Sequence, residues 1–338
     1  MGKGEVSEVN KPCQLCGSNG PHEIVPVREM YFGTREVFDY FVCAECGTLQ
    51  IAKVLEGEEL MRFYPSDYYS YKVAPQPKLF QWLTAQEDRH DLHAGGRLVG
   101  TLVSALPPGL RSLIGTHDAS GDVVKMLGEL GVSLDARVLD VGCGGGALLD
   151  RLARAGFTNL SGADPFIEAD GKTALGVPLA KRDLDEMTGE FDVIMFNHSL
   201  EHVPDLTATL KAAHERLAPT GLCLVRLPTT SSEVWDTYRA NWMNIDAPKH
   251  ICIPSRKGMA VAADRAGLRV EKAIDDQSSG SFIGSEANRR DIALTEMTSL
   301  GAMVRMFGVR QLLNWEKRAV ALNRQGRGDQ TGFVLRVK

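Results

Sequence analysis

From residue 121 onward, short apolar runs alternate with longer segments whose apolar residues recur every three or four positions. ARVLDVG, NLSGADP, PLAKRDLD, EFDVIMFN, GLCLVRLP, GLRVEKAIDD and TGFVLRVK read as seven strands. GDVVKMLGELG and GGALLDRLARAG read as helices between them. So does the stretch from about 202 to 218, where Leu206, Leu210, Ala213 and Leu217 fall on one face. SRKGMAVAADRAG is a further helix, with Ser255 placed to cap it. Strands alternating with helices predict an α/β fold built on a doubly wound, parallel sheet. The pattern upstream differs. EIVPVREMYF and EVFDYFVC read as short strands. Residues 75–120 carry PQP, AGG and LPPG around one or two helices, LFQWLTAQEDRHDLH and part of GRLVGTLVSAL. The expected division is 1–74, a connector at 75–120, and a large domain at 121–338.

Composition narrows this little but excludes some roles. The chain has 338 residues, 43% hydrophobic and 24% charged, enough apolar material for a full core. A net charge of −5 argues against nucleic acid as the main partner. No apolar stretch approaches a membrane span, and MGKGEVSEVN lacks the apolar core of a signal peptide. The expectation is a cytoplasmic monomer or homodimer without a membrane partner. In that compartment seven cysteines fit metal ligation and core thiols better than disulfides.

Four of the seven stand in two copies of one pattern. CQLCG places Cys13 and Cys16, and CAECG places Cys43 and Cys46. A Cys-x-x-Cys-Gly turn aims two thiolates at one ion, and the glycine tolerates the left-handed backbone behind them. Two such turns make a closed S₄ set, suited to a structural Zn²⁺ in a zinc ribbon. LMRFYPSDYYSYK follows, with Tyr64, Tyr68, Tyr69 and Tyr71 in eight positions. These tyrosines are either an aromatic edge packed on the ribbon or a hydroxyl-lined lip over a polar ligand.

VLDVGCGGG, residues 138–146, is the most informative stretch. Gly142, Gly144 and Gly146 at a strand-to-helix turn let a ligand approach the backbone and the helix N-terminus. Asp140 sits inside the strand, where a pyrophosphate would gain nothing from its charge but an ammonium or sulfonium would. Asp164 closes the next strand, placed to accept both hydroxyls of a ribose. Asp183 follows the third, within reach of an adenine amino group.

This pattern resembles the class I S-adenosylmethionine (SAM) methyltransferases, through VLDVGCGGG, GADP and FDVIMFNHSLEHVPD. The resemblance implies a Rossmann-like, seven-stranded sheet that holds SAM through Asp140, the glycine turn, Asp164, Asp183 and Asn197. The doubled CxxCG ahead of such a domain is similar to bacterial methyltransferases of sugar, polysaccharide and natural-product pathways. It implies a sugar or nucleotide-linked sugar as acceptor, methylated on oxygen or carbon, with the tyrosines in a substrate-holding place. An RNA methyltransferase with a zinc module and a non-catalytic SAM-binding scaffold are the alternatives. The acidic balance opposes the first, the intact glycine motif the second.

FNHSLEHVPD leaves the fourth strand at the edge where such sheets bind ligands. A histidine titrating near 6.5 suits removal of an acceptor proton. The resemblance favours His202 as base, with Glu201 and His198 nearby; His250, in APKHI, could reach the same pocket. Trp242 in NWMNIDAPKH is a candidate pocket wall. Some relatives hold Mg²⁺ at this motif, but His198 is expected to precede the helix, so His198, Glu201 and His202 make a thin set. The bland alternative has Glu201 and His202 merely capping a helix.

Overall fold

The computed structural model describes residues 7–64, 77–95, 97–105, 121–297 and 299–338. Tyr68, Tyr69 and Tyr71 lie outside the described residues. The strands are β1 (Glu8–Val9), β2 (His22–Arg28), β3 (Val37–Val42), β4 (Leu49–Ile51), β5 (Arg137–Val141), β6 (Asn159–Ala163) and β7 (Gly171–Lys172). They continue as β8 (Pro178–Ala180), β9 (Phe191–Asn197), β10 (Leu217–Pro228), β11 (Cys252–Ile253), β12 (Leu268–Asp275) and β13 (Gln330–Val337).

The large sheet runs β12-β13-β10-β9-β5-β6-β8-β7. Its centre is parallel, as the alternation predicts, from β10 through β9, β5 and β6 to β8. β13 is antiparallel to both of its neighbours, so the sheet is mixed. β7 adds a two-residue edge strand by hairpin to β8, beyond the seven expected. Successive residues point to opposite faces. Leu139, Ile194, Phe196 and Val225 therefore join one core layer, and Val138, Val193, Met195 and Leu224 the other. Helices Leu206–Arg216 and Arg256–Arg265 cover the first face, and helices Gly121–Glu129 and Ala147–Ala155 the second. Leu149 and Leu152 are wholly buried, each worth about 1.5–3 kcal/mol of apolar burial. Connections run one way from β5 to β6 and β8, then the other way from β9 to β10. The switch lies between β5 and β9, and a ligand crevice is expected beyond their carboxyl ends.

The second sheet runs β1-β2-β3-β4-β11. Its last strand comes from the large domain, pairing Cys252 with Gln50 and Ile253 with Leu49. Cys13, Leu15, Cys43 and Cys46 share a core with Leu200, Cys252 and Met259. The N-terminal module is thus joined to the large domain by backbone pairing and by apolar contact. The connector helix Lys78–Asp91 is anchored through Asp88, whose buried carboxylate pairs with Arg151 at 2.6 Å.

Two features depart from the sequence pattern. The helix expected from 202 begins at Leu206, capped by Asp205, which accepts from the Ala208 amide at 2.9 Å. Leu200–His202 is a separate 3₁₀ turn, so neither Glu201 nor His202 caps that helix. Helices Glu233–Tyr238, Gly280–Arg289, Leu300–Phe307 and Val309–Gln325 form where no pattern was read. No described helix is long and apolar enough to cross a membrane.

Candidate functional site

β5 delivers Asp140 and then turns sharply. Gly142, Gly144 and Gly146 have φ of +76°, +50° and +76°, the left-handed region that only glycine enters cheaply. A Cβ at Gly142 would lie 2.4 Å from the Ser199 Cβ, so close approach forbids a side chain as well. Gly146 leads into the helix Ala147–Ala155, whose N-terminal amides face the turn. Asp164, just beyond β6, holds the turn open. One oxygen accepts from the Gly144 amide at 2.9 Å and the other from the Phe166 amide at 2.8 Å. A carboxylate has about four lone-pair positions, so two remain for ligand hydroxyls. Asp140 is 3% exposed, and burial, with Asp164 second, pushes its carboxyl up to about 7. A buried anion beside another is what a bound cation would relieve. Asp183 is exposed beyond β8, its carboxyl raised by partial burial and by Asp185, Glu186 and Asp164. The backbone cradle, the raised Asp140 and the latched Asp164 fit SAM. Asn197 is differently engaged: its side-chain oxygen accepts from Arg226 at 3.2 Å.

The chain leaves β9 through His198, a non-glycine residue at φ +56°. Ser199 then donates to the Val141 carbonyl at 2.6 Å, fastening this exit to the glycine turn. The His198 Nε2 accepts from Arg226, whose guanidinium also pairs with buried Asp276. That lone pair is therefore occupied; burial and Arg226 push His198 down to about 3. His202 Nδ1 lies 3.0 Å from the Lys249 carbonyl and 3.1 Å from the Tyr64 hydroxyl. A carbonyl only accepts, so Nδ1 carries the proton and Nε2 keeps a lone pair. His250 repeats the arrangement, its Nδ1 being 2.8 Å from the Asn244 carbonyl. The two rings meet edge to face at 4.6 Å. Burial lowers both to about 4, below the 6.5 of an unperturbed imidazole, so both are neutral at pH 7. Between them Glu201 is fully buried. His250, the remote candidate, thus joins His202 and Glu201. Trp242 does not. It is 1% exposed, and its indole nitrogen donates to Asp329 at 2.7 Å, which makes it a core side chain and corrects its reading as a pocket wall.

Three neighbours are missed by the sequence pattern. Arg226 and Asp276 hold His198, and Lys249, 2% exposed, pairs with Asp246 at 2.8 Å and lies over the Tyr31 ring at 4.1 Å. Arg226 is a charged residue inside the apolar run GLCLVRLP, which is the one visible hint.

In the N-terminal module the two CxxCG turns are built alike. Gly17 and Gly47 have φ of +79° and +72°, and each amide bonds the carbonyl of the first cysteine at 2.8 Å. The four sulfurs lie within 4.8 Å of one another, with Cys13 to Cys46 at 3.6 Å and Cys16 to Cys43 at 3.5 Å. Tetrahedral Zn–S bonds of about 2.3 Å would set sulfurs about 3.8 Å apart. Gln50 donates to the Cys13 sulfur at 3.1 Å, an orienting bond of the kind metal thiolates take. Cys13 is held down to about 4, chiefly by the bond with Cys46, while Cys46 is pushed up. Four thiols so close cannot all ionise without a cation, and the donor set fits zinc.

Residues 117–273 match the model of a family described as a methyltransferase domain. A ubiquinone biosynthesis O-methyltransferase of Pseudomonas aeruginosa (strain UCBPP-PA14) is 34% identical over 116 residues, 31% of this chain and 50% of that protein. One of Xanthomonas oryzae pv. oryzae (strain PXO99A) is 37% identical over 100 residues, 25% of this chain and 40% of that protein. The chain thus spans half or less of the length of these curated relatives. Among solved structures, a cyclopropane synthase of Mycobacterium tuberculosis is similar at a TM-score of 0.42 and 15% identity, covering 78% of this chain and 99% of that one. A SAM-dependent methyltransferase of Mesorhizobium loti is similar at 0.39 and 14%, covering 65% and 98%. With this match to a methyltransferase domain, the sheet order and the turn between Asp140 and Asp164 give the chain the Rossmann-like fold of a SAM-dependent methyltransferase.

Proposed function

We propose that the protein transfers a methyl group to an oxygen or carbon of a small polar acceptor, a sugar or nucleotide-linked sugar. One observation carries the reading. The bond from Ser199 to Val141 brings the Asp164-latched glycine turn against the turn that bears Glu201 and His202. SAM, when bound, supplies an electrophilic methyl on a sulfonium. The glycine turn and Asp164 would hold its backbone-facing and ribose sides, with Asp140 opposing its positive charge. The acceptor atom must lose a proton as it gains the methyl carbon, and that proton leaves toward the His202, His250 and Glu201 cluster. His202 Nε2, neutral at pH 7, is the base candidate, oriented by the Lys249 carbonyl. Tyr64, in contact with that ring, offers a hydroxyl to a polyhydroxy ligand. The four cysteines hold a structural Zn²⁺ in this reading; a closed thiolate set leaves no position for substrate.

A second acceptor class has its own support. The curated relatives carry the name of O-methyltransferases of ubiquinone biosynthesis, which favours a phenolic hydroxyl. Incubation with methyl-labelled SAM and separate panels of nucleotide-sugars, phenols and RNA tests both. Label in the nucleotide-sugar pool supports the proposal, label in phenols the second reading, and label in RNA alone overturns both.

A further inference from the structure

Glu201 is the most anomalous side chain among the described residues. It is wholly excluded from solvent, and neither carboxylate oxygen accepts a hydrogen bond. His198 Nδ1 at 3.4 Å and His250 Nε2 at 3.9 Å approach one oxygen without completing one. A buried carboxylate left in this condition is costly, and such groups are normally paired or bound to metal. The histidines explain which. His202 and His250 each face a backbone carbonyl through Nδ1, the Lys249 and Asn244 carbonyls at 3.0 and 2.8 Å. Each ring is thereby fixed with its proton on Nδ1 and a lone pair on Nε2. A metal-binding imidazole is oriented in this way by the group behind it. Glu201, His202 and His250 each offer one ligand atom, and these atoms lie within 4.8 Å of one another. His198 is not of the set, because Arg226 donates to its Nε2.

We propose that Glu201, His202 and His250 form a second metal site, distinct from the four cysteines, which takes a divalent transition ion of the Zn²⁺ or Co²⁺ kind. Two imidazoles and one carboxylate suit such an ion better than Mg²⁺, which prefers an all-oxygen shell. Three protein ligands leave a position open. The site's existence does not depend on the proposed reaction. Its role does: if that reading holds, an ion on His202 Nε2 takes over from that nitrogen as the group that frees the acceptor proton, holding the acceptor oxygen at the open position so that solvent can take the proton. The two histidines come from turns far apart in the chain, joined by the Ile251 amide bonding the Glu201 carbonyl at 2.7 Å.

The test is cobalt reconstitution of the full chain, read by metal content and by absorption. Wild type should bind one more ion per chain than either Glu201→Gln or His250→Ala. The sulfur-to-cobalt charge-transfer band of the cysteine cluster should be unchanged in both variants. Apparent affinity for the lost ion should fall at least about 100-fold, the upper end of the range for losing a group that only supports a ligand. Glu201→Gln keeps the side chain's shape, so it reads the site even if His250→Ala fails to fold. Equal metal content in wild type and Glu201→Gln overturns the proposal. So does a wild type that binds no ion beyond the thiolate site up to about 1 mM Co²⁺ or Zn²⁺, a millimolar Kd being too weak for a resident ion. Binding of Mg²⁺ in preference to both overturns the argument from the donors. A chain that binds the extra ion but transfers no methyl group leaves the site standing and sinks the reaction.

Discussion

Asp140→Asn separates a binding role from a structural one. Asp140 is almost fully buried, and burial with Asp164 raises its carboxyl to about 7 from an ordinary value of 3.8. A rise of about three units corresponds to about 4 kcal/mol of preference for the protonated form. The folded pKa lies above the unfolded one. Its contribution to stability is therefore fully present below about pH 4 and lost as pH rises through about 7. Above that range the ligand-free protein carries two neighbouring anions in a dry turn. Asparagine keeps the shape and removes the charge. Against wild type, the variant should gain on the order of 2–4 kcal/mol between pH 4 and pH 8, or roughly 3–6 °C in melting temperature. Bound SAM brings positive charge to the same place, so it should stabilise wild type more at pH 8 than at pH 6. The variant should bind SAM at least about tenfold more weakly, a loss of about 1.4 kcal/mol. Thermal melts from pH 4 to pH 8.5, with and without SAM, read both effects. A variant that melts below wild type at every pH and still binds SAM normally would refute the reasoning and make Asp140 a structural residue.

Other outcomes follow from the same geometry. Asp164→Ala removes acceptors for the Gly144 and Phe166 amides and should weaken SAM by about 1–3 kcal/mol in calorimetric titration. His202→Ala should lower kcat by roughly 10²–10⁴ with SAM affinity nearly unchanged, because proton removal happens at the acceptor. Full activity in that variant would take the cluster out of the chemistry. Cys13→Ser should cost solubility and melting temperature and release about one zinc per chain, since the thiol cluster shares its core with Leu200, Cys252 and Met259. A metal-free protein as stable as the metal-containing one would remove the zinc reading.

The parts of the site legible in the sequence are those whose chemistry is local. VLDVGCGGG names a strand, a left-handed turn and a helix start within nine residues, and the three positive φ values follow from it. The two CxxCG turns are equally local, and so is the Ser255 cap, which accepts from the Gly258 amide. What stayed hidden depends on distant parts meeting. His250 was one candidate among several until the Ile251 amide bonded the Glu201 carbonyl. Trp242 reads as a candidate pocket wall because its partner, Asp329, arrives from near the C-terminus. Helix Gly280–Arg289 begins GSFIGS, poor helix formers by propensity. It forms because its small residues allow close packing: a Cβ on Gly284 would stand 2.4 Å from the Met243 sulfur. The mixed sheet was hidden too, since TGFVLRVK reads the same in either direction and only its pairing with β10 and β12 sets it antiparallel.

The central claim is that the latched glycine turn and the histidine cluster serve one methyl transfer. Its most direct test is single-turnover incubation of the full chain with methyl-labelled SAM and nucleotide-sugars, with the labelled product isolated and S-adenosylhomocysteine quantified. The account predicts one labelled nucleotide-sugar for each S-adenosylhomocysteine formed, and loss of both in His202→Ala while SAM still binds. A wild-type protein that is stabilised by NAD but neither binds SAM nor forms S-adenosylhomocysteine with any acceptor would contradict it.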